Sequence, residues 1–215
     1  GSIEHFINFS TSEVYGAYSY KLSEGDSTSV GRAGEARWLY ALSKLATDHL
    51  ALSYYKKYSL PVTSVRPFNI YGPRRGEAAL YQFVSRALEN EDLLVHGDGD
   101  QIRSWCYIDD FVDALELCLL NDQSKGQIFN IGNPRATVTI LSLAELVIRL
   151  TESRSKIRFI EKDYSDIELR IPTIDKAKEL LGYSPKVDLT QGILKTVSWY
   201  KTRDESVSTD KSRDI

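Results

Sequence analysis

The sequence predicts an α/β protein: one domain built on a parallel sheet, with a small lobe. Three observations carry this. Two short apolar runs, Ile3 to Phe9 and Val62 to Arg66, flank one long helical pattern, and a strand, helix, strand order with so long a crossover demands parallel strands. The rest of the chain alternates short apolar runs with helical ones. A length of 215 residues, 42% hydrophobic and 27% charged, suits one sizeable core.

"IEHFINF" reads as a strand, apolar at Ile3, Phe6, Ile7 and Phe9, that runs straight into Ser10, Thr11, Ser12 and Glu13. From Tyr18 to Ala33 the residues turn to Ser, Gly, Asp and Thr without apolar period, which predicts a loop. Leu39, Leu42, Leu45, Ala46, Leu50 and Leu52 then recur near helical spacing, predicting a helix from Arg37 to Tyr58 that Pro61 stops. Val62 to Arg66 is a buried strand ahead of a Pro/Asn/Gly loop. A helix over Ala78 to Glu89, a strand Leu93 to His96 and a "GDGD" turn follow. The next helix, Asp109 to Leu120, places acidic residues where its dipole favours them. "GQIFNIGNP" is a strand ending in a turn, and "SLAELVIRL" a helix with Ser142 as N-cap and Glu145 closing a capping box. Beyond Arg203 the chain is polar and expected to fray.

A net charge of −3 with Lys and Arg scattered gives no footprint for nucleic acid or an anionic membrane. Cys106 and Cys118 lie in apolar segments with no companion at ligand spacing, so free buried thiols are expected and no metal site. No apolar run approaches the ~20 residues that span a bilayer, so no membrane partner is expected and a cytoplasmic location is.

Tyr40 and Lys44, in "RWLYALSK", stand at i and i+4 on one helix face. An ammonium beside a phenol favours the phenolate, which would make Tyr40 a base near neutral pH. Taken alone, the pair reads more readily as two exposed helix residues. The polar run Ser10 to Glu13 reads either as a capped turn or as a site, since ligands of parallel sheets bind outside the carboxyl ends of the strands.

"FSTSEVYG", "YALSK", "RPFNIYGP", "VHGDGDQIRSWCYIDDFVDAL" and "FNIGNP" stand in an order and spacing that resembles the extended short-chain dehydrogenases/reductases acting on nucleotide sugars, the NAD-dependent epimerases/dehydratases. The likeness runs from Phe6 to Tyr200. It implies a partial Rossmann-like sheet, with residues 1–75 the C-terminal part of an NAD-binding domain, 76–203 a nucleotide-sugar lobe interleaved with remaining sheet elements, and 204–215 a flexible tail. The implied cofactor is NAD, the implied substrate a nucleotide sugar, a UDP-sugar favoured, and the helix carrying Tyr40 implies a homodimer. Tyr40 would take the proton of the sugar 4-hydroxyl and Lys44 would hold the nicotinamide ribose, with Ser10 and Pro67 also beside the cofactor. Thr11 and Ser12 would meet the 4-hydroxyl, Asn69 the sugar nucleotide, Arg103 the diphosphate and His96 the base. Without the likeness, Arg103 reads as an ion pair with Asp109 or Asp110, Asn69 as an Asx turn, and His96 as a solvated strand end.

The reaction implied is decarboxylation of a UDP-glucuronate type substrate. "STSEVYG" and, near the end, "LRIPTIDKAKELLGYSPKVDL" resemble UDP-glucuronate decarboxylases, in which the position of Arg170 belongs to the active site and Glu13 lies near C5 or C6. Otherwise Arg170 would pair with Glu168 or Asp166. A 4-epimerase is the second expectation, although it leaves Glu13 without work, and a 4,6-dehydratase the third, although Ser12 stands where the dTDP-glucose type has Asp. No Gly-rich phosphate turn occurs in the sequence, so the chain is expected to start mid-sheet with its first strand at an edge. A reading of another class follows: a non-catalytic fragment or nucleotide-sugar-binding module.

Overall fold

The computed structural model describes residues 3–74, 79–162 and 166–210. β1 (Phe6–Phe9) passes through a 3-10 turn, Ser12–Tyr15, into β2 (Tyr18–Leu22), and α1 (Arg37–Tyr58) leads to β3 (Val62–Pro67) and β4 (Ile70–Tyr71). After these come α2 (Ala79–Leu88), β5 (Leu93–His96), β6 (Ile102–Ser104), β7 (Cys106–Tyr107) and α3 (Ile108–Leu120). β8 (Ile128–Ile131), β9 (Thr137–Thr139), α4 (Ile140–Thr151), β10 (Ile157–Ile160), β11 (Leu169–Pro172), α5 (Asp175–Leu181) and α6 (Leu189–Asp210) complete the order. Ala78, the expected first residue of α2, lies outside the described residues.

The expected βαβ unit is present. β1, β3 and β8 form a parallel sheet with β3 in the centre, Phe6 opposite Val62 and Val65 opposite Phe129. α1 ends where Ser59 turns left-handed, its N–H returning to Tyr55 O. α3 and α5 cover one face through Phe111, Ala177 and Leu181, packed with Val65, Phe129 and Ile131. Cys106 and Cys118 are free and buried in this core, and burial pushes both thiols up to about 12. A second core, around Leu80, Phe83, Leu143, Val147 and Ile193, joins α2, α4 and α6. Gly192 permits the close approach of α6, because a Cβ there would run into the Tyr71 hydroxyl and the Tyr107 ring. Among the described residues no helix is long and apolar enough to cross a membrane.

Four expectations are corrected. The segment read as loop contains β2, a strand paired in parallel with β11, Tyr18 opposite Leu169. That partner lies far along the chain, and the alternation of Tyr18, Tyr20 and Leu22 with Ser19 and Lys21 is a short period-2 signal that the polar run after it obscures. β1 begins at Phe6, not Ile3. The cap of α4 is Thr139, whose Oγ1 accepts from the Ser142 N–H at 3.0 Å, so Ser142 sits inside the first turn it was expected to precede. Finally, α6 continues through Asp210 across residues expected to fray.

One buried polar centre binds α1 to the parallel sheet. Asp48, 2% exposed, accepts from Asn8 Nδ2 at 3.2 Å, Ser10 Oγ at 2.8 Å and Arg66 Nε at 3.0 Å, and also from Ser64 Oγ. Arg66 passes the connection on, donating to Tyr15 Oη at 2.7 Å, and Tyr15 donates to Asn130 Oδ1 at 2.8 Å. A charge pair this deep persists because its remaining hydrogen-bonding positions are filled as well. Asp48→Ala, which strands the Arg66 guanidinium in the interior, is expected to cost about 3–5 kcal/mol in urea unfolding. Adding Arg66→Met should recover part of that loss.

Candidate active site

The site begins where β1 leaves the sheet. The Ser10 N–H donates to Val65 O at 2.9 Å, the last rung onto β3. The Ser10 hydroxyl turns inward to Asp48, so this residue lies beneath the site rather than open to it. Thr11 takes an extended backbone and caps the 3-10 turn, its Oγ1 accepting from the Glu13 N–H at 3.3 Å. Thr11 and Ser12 are buried, whereas Glu13 is half-buried. The strand's polar end is therefore both things the sequence allowed, a capped turn and a constellation of functional groups.

α1 packs against that turn. Lys44 Nζ donates to Phe9 O at 2.8 Å and lies 5.9 Å from the centre of the Tyr40 ring, so the pair shares one face as the spacing requires. Tyr40 is 50% exposed. Pro67 closes β3 at the same end of the sheet.

The second sheet brings in the cations. In the order β2, β11, β6, β9, Arg170 lies in register with Ser19 on one side and Arg103 on the other. Two guanidinium groups on adjacent strands repel unless anions separate them. The expected partners are not the ones found: Asp109 lies 3.5 Å from Lys195, Asp110 accepts from the N–H groups of Lys186 and Val187, and Glu168 lies 3.2 Å from Lys162. Arg170 Nη2 instead lies 3.6 Å from Glu13 Oε1, and its Nη1 donates to Asn69 Oδ1 at 3.4 Å. Arg103 Nη2 lies 3.5 Å from Asp166 Oδ1, which Arg37 Nη2 shares at 3.2 Å. Arg37 also reaches Glu13 at 4.0 Å. Asn69, left-handed at φ 43, donates Nδ2 to Ser104 O at 2.8 Å, so it braces Arg170 against β6 and is more than an Asx turn.

The electrostatics follow from burial. Desolvation pushes the Arg170 guanidinium down to about 10, still charged at neutral pH, and lowers Arg103 as well. Burial opposes ionisation of Asp166, but the Ile167 N–H, Arg103, Arg37 and Lys162 outweigh it and hold that carboxyl below the usual range. Several buried polar atoms in this region make no hydrogen bond: Arg170 Nε and Nη2, Arg37 Nε, Trp105 Nε1 and Ser19 Oγ. Arg37, Asn69, His96, Arg103, Trp105 and Asp166 line a common cavity of about 250 Å³. No group of three His, Cys, Asp or Glu able to hold a metal occurs among the described residues.

The structure thus joins Glu13 and Arg170, two residues the sequence offered separately, and gathers Asn69, His96 and Arg103 at one cavity. Sequence reasoning missed Arg37, Asp166, Ser19 and Asp48. Only Arg37 carried a local signal, three residues before Tyr40 on the same helix face.

A Tyr/Lys helix pair, capped hydroxyls and convergent guanidinium groups thus meet at the carboxyl ends of parallel strands, where open α/β sheets bind their ligands. Residues 2–132 match the model of the NAD dependent epimerase/dehydratase family. The chain belongs to that family. It is 38% identical over 202 residues to a UDP-N-acetyl-alpha-D-glucosaminuronate decarboxylase of Bacillus cytotoxicus, covering 89% of this chain and 62% of the relative. It is 35% identical to UDP-glucuronic acid decarboxylase 1 of Arabidopsis thaliana, covering 92% of this chain and 46% of that one. Among solved structures, the UDP-glucuronic acid 4-epimerase of Bacillus cereus, in complex with UDP-glucuronic acid and NAD, superimposes with a TM-score of 0.84 at 29% identity, over 93% of this chain and 62% of that one. The chain therefore spans less than two thirds of the length of each of these relatives.

The lowered carboxyl of Asp166 has a pH consequence. Its contribution to stability is complete above 3.8, the unfolded value, and is lost as pH falls through its lower folded value. Asp166→Asn should therefore lower the urea midpoint at about pH 6, and the gap to the native protein should narrow by about pH 3.

Proposed function

We propose that the protein decarboxylates a UDP-hexuronate through a 4-keto intermediate. The observation that carries this reading is the pairing of Glu13 with Arg170, a half-buried carboxylate and a buried guanidinium at 3.6 Å beside the helix that carries Tyr40. The names of the relatives support it, since they include decarboxylases of UDP-uronates.

The residues fit the reacting end of NAD: α1 presents Tyr40 half exposed with Lys44 beside it, at the carboxyl ends of parallel strands. Lys44 would hold the nicotinamide ribose, with Pro67 at the neighbouring strand end. No Gly-rich turn in the sequence offers to hold the pyrophosphate. The chemistry NAD would supply there is reversible hydride acceptance from C4, returned to that carbon once carbon dioxide has left. Tyr40 takes the proton of the 4-hydroxyl, and the Thr11 hydroxyl, whose oxygen already accepts from the Glu13 N–H, donates a hydrogen bond to O4. The resulting ketone is β to the C6 carboxylate. When the C5–C6 bond breaks, its electron pair passes through C5 to the C4 oxygen as an enolate, and carbon dioxide leaves. Glu13 and Arg170 flank the carbon that must then take up a proton. Arg103 binds the diphosphate, its fork matching phosphate oxygens, with Asn69 on the sugar nucleotide and His96 at the base.

Mass spectrometry of UDP-glucuronate, UDP-glucose and dTDP-glucose after incubation with protein and NAD tests this. Loss of carbon dioxide from UDP-glucuronate alone is expected. Loss of water from a hexose would make the protein a 4,6-dehydratase, and an unchanged mass with a new epimer by NMR a 4-epimerase, the reading favoured by the Bacillus cereus neighbour. Tyr40→Phe and Glu13→Gln should each slow decarboxylation about 10²–10⁴-fold. The exposed stripe of Leu39, Leu42, Leu50, Tyr54 and Tyr58 on α1 favours a homodimer, which Leu42→Glu should convert to monomer in sedimentation.

A further inference from the structure

Behind the wall of the candidate active site lies a second cavity, of about 540 Å³ and opposite charge. It opens where β5 and β10, paired in parallel with Ile160 opposite His96, both leave their sheet. Asp98 follows β5, Glu161 follows β10 and Glu168 stands just ahead of β11, and all three line it. Among the described residues lining the cavity, the one cation is Lys162, and its Nζ is divided between Glu168 Oε1 at 3.2 Å and Asp166 Oδ2 at 3.5 Å. Asp98 and Glu161 form no ion pair among the described residues. Two neighbours of these carboxylates point to a ligand. Gln101, 4% exposed, lines both cavities, and its side-chain amide makes no hydrogen bond among the described residues. Buried amides are nearly always satisfied, so the missing partner is to be sought in what enters the cavity. Phe159, 54% exposed, adds an uncovered aromatic ring. Gly97, left-handed at φ 71, keeps the floor open, since a Cβ there would come within 3.4 Å of the Gln101 amide and 3.6 Å of the Lys162 stem.

The carboxylates are not grouped as a metal ion would need, and an anion would be repelled by them. An ammonium suits every part of the lining. Carboxylates offer it charge-assisted acceptors, the face of an aromatic ring attracts it, and the carbonyl of Gln101 takes a further N–H. We propose that this cavity is a second ligand site, which takes an aliphatic diamine or polyamine. Two carboxylates without a cation, Asp98 and Glu161, call for two ammonium groups on one chain, and the Phe159 ring packs on the methylenes between them. Lys162 couples this site to the first. An ammonium that takes over Glu168 leaves Lys162 to Asp166, and Asp166 then holds Arg103 less firmly. Resting on the assignment of the diphosphate to Arg103 in the proposed reaction, the bound amine therefore strengthens nucleotide binding, and the nucleotide strengthens amine binding by the same factor.

Calorimetry of spermidine in about 0.15 M salt, where loose surface attraction is screened, tests the site, and a separate titration of UDP tests the coupling. The native protein should bind spermidine saturably. Glu161→Gln should weaken it about tenfold, as for a lost charge-assisted contact, and Phe159→Ala about two- to fivefold. Both side chains are exposed, so neither change threatens the fold. Saturating spermidine should tighten UDP about fivefold, and Lys162→Gln should abolish that gain while binding spermidine at least as well as the native protein. No binding of spermidine, or equal binding by the native protein and both variants as a loose counterion would show, would overturn the proposal. Spermidine bound without any change in UDP affinity would overturn the coupling. Binding of spermidine with no binding of UDP would overturn the decarboxylase reading and leave the amine site standing.

Discussion

Everything at the strand ends depends on one buried carboxylate. Asp48 sits one helical turn beyond Lys44 and draws hydrogen bonds from β1, from the residue just past β1 and from β3. A helix packed by apolar contacts alone has many nearly equivalent seats on a sheet. A charged acceptor with partners on two strands has one. The Lys44 contact with Phe9 O, one turn away, is a consequence of that seating, and so is the station of Tyr40 one turn further on. Arg66 and Tyr15 extend the same network into the 3-10 turn, so the turn that carries Glu13 and the helix that carries Tyr40 rest on common ground.

The second sheet faces a different constraint. Setting Arg103 and Arg170 side by side in register is unfavourable on its own, and the carboxylates that relieve it come from elsewhere: Glu13 from the turn after β1 and Asp166 from just ahead of β11. The two sheets are thus held together partly by ion pairs that meet in the site. Interactions of this kind are sensitive to what enters the cavity, because an incoming anion competes for the same guanidinium groups.

The sequence made some of this legible and hid the rest for identifiable reasons. The βαβ unit was readable because its period is local, and α1 was bounded correctly from Arg37 to Tyr58 by its leucines and Pro61. Tyr40 and Lys44 could be placed on one face from their spacing alone. β2 was missed because its partner is a strand far along the chain and its short alternation of Tyr18, Tyr20 and Leu22 with polar residues runs straight into a polar loop. The pairing of Glu13 with Arg170 joins two ends of the molecule, and nothing in local composition distinguishes it from the nearer pairing with Glu168. The same holds for Asp48, which in sequence is one acidic residue on an amphipathic helix and in the fold is a buried anchor. Local periodicity reports elements. Register between distant strands, which decides what faces what, it does not report.

The three-residue interval between Arg37 and Tyr40 has a consequence of its own. One helix, seated by Asp48, carries both side chains on the same face at a fixed separation. Any slide or roll of that helix on the sheet moves a guanidinium and a phenol together. The first turn of α1 is thus a single rigid part, and neither group can be repositioned without displacing the other.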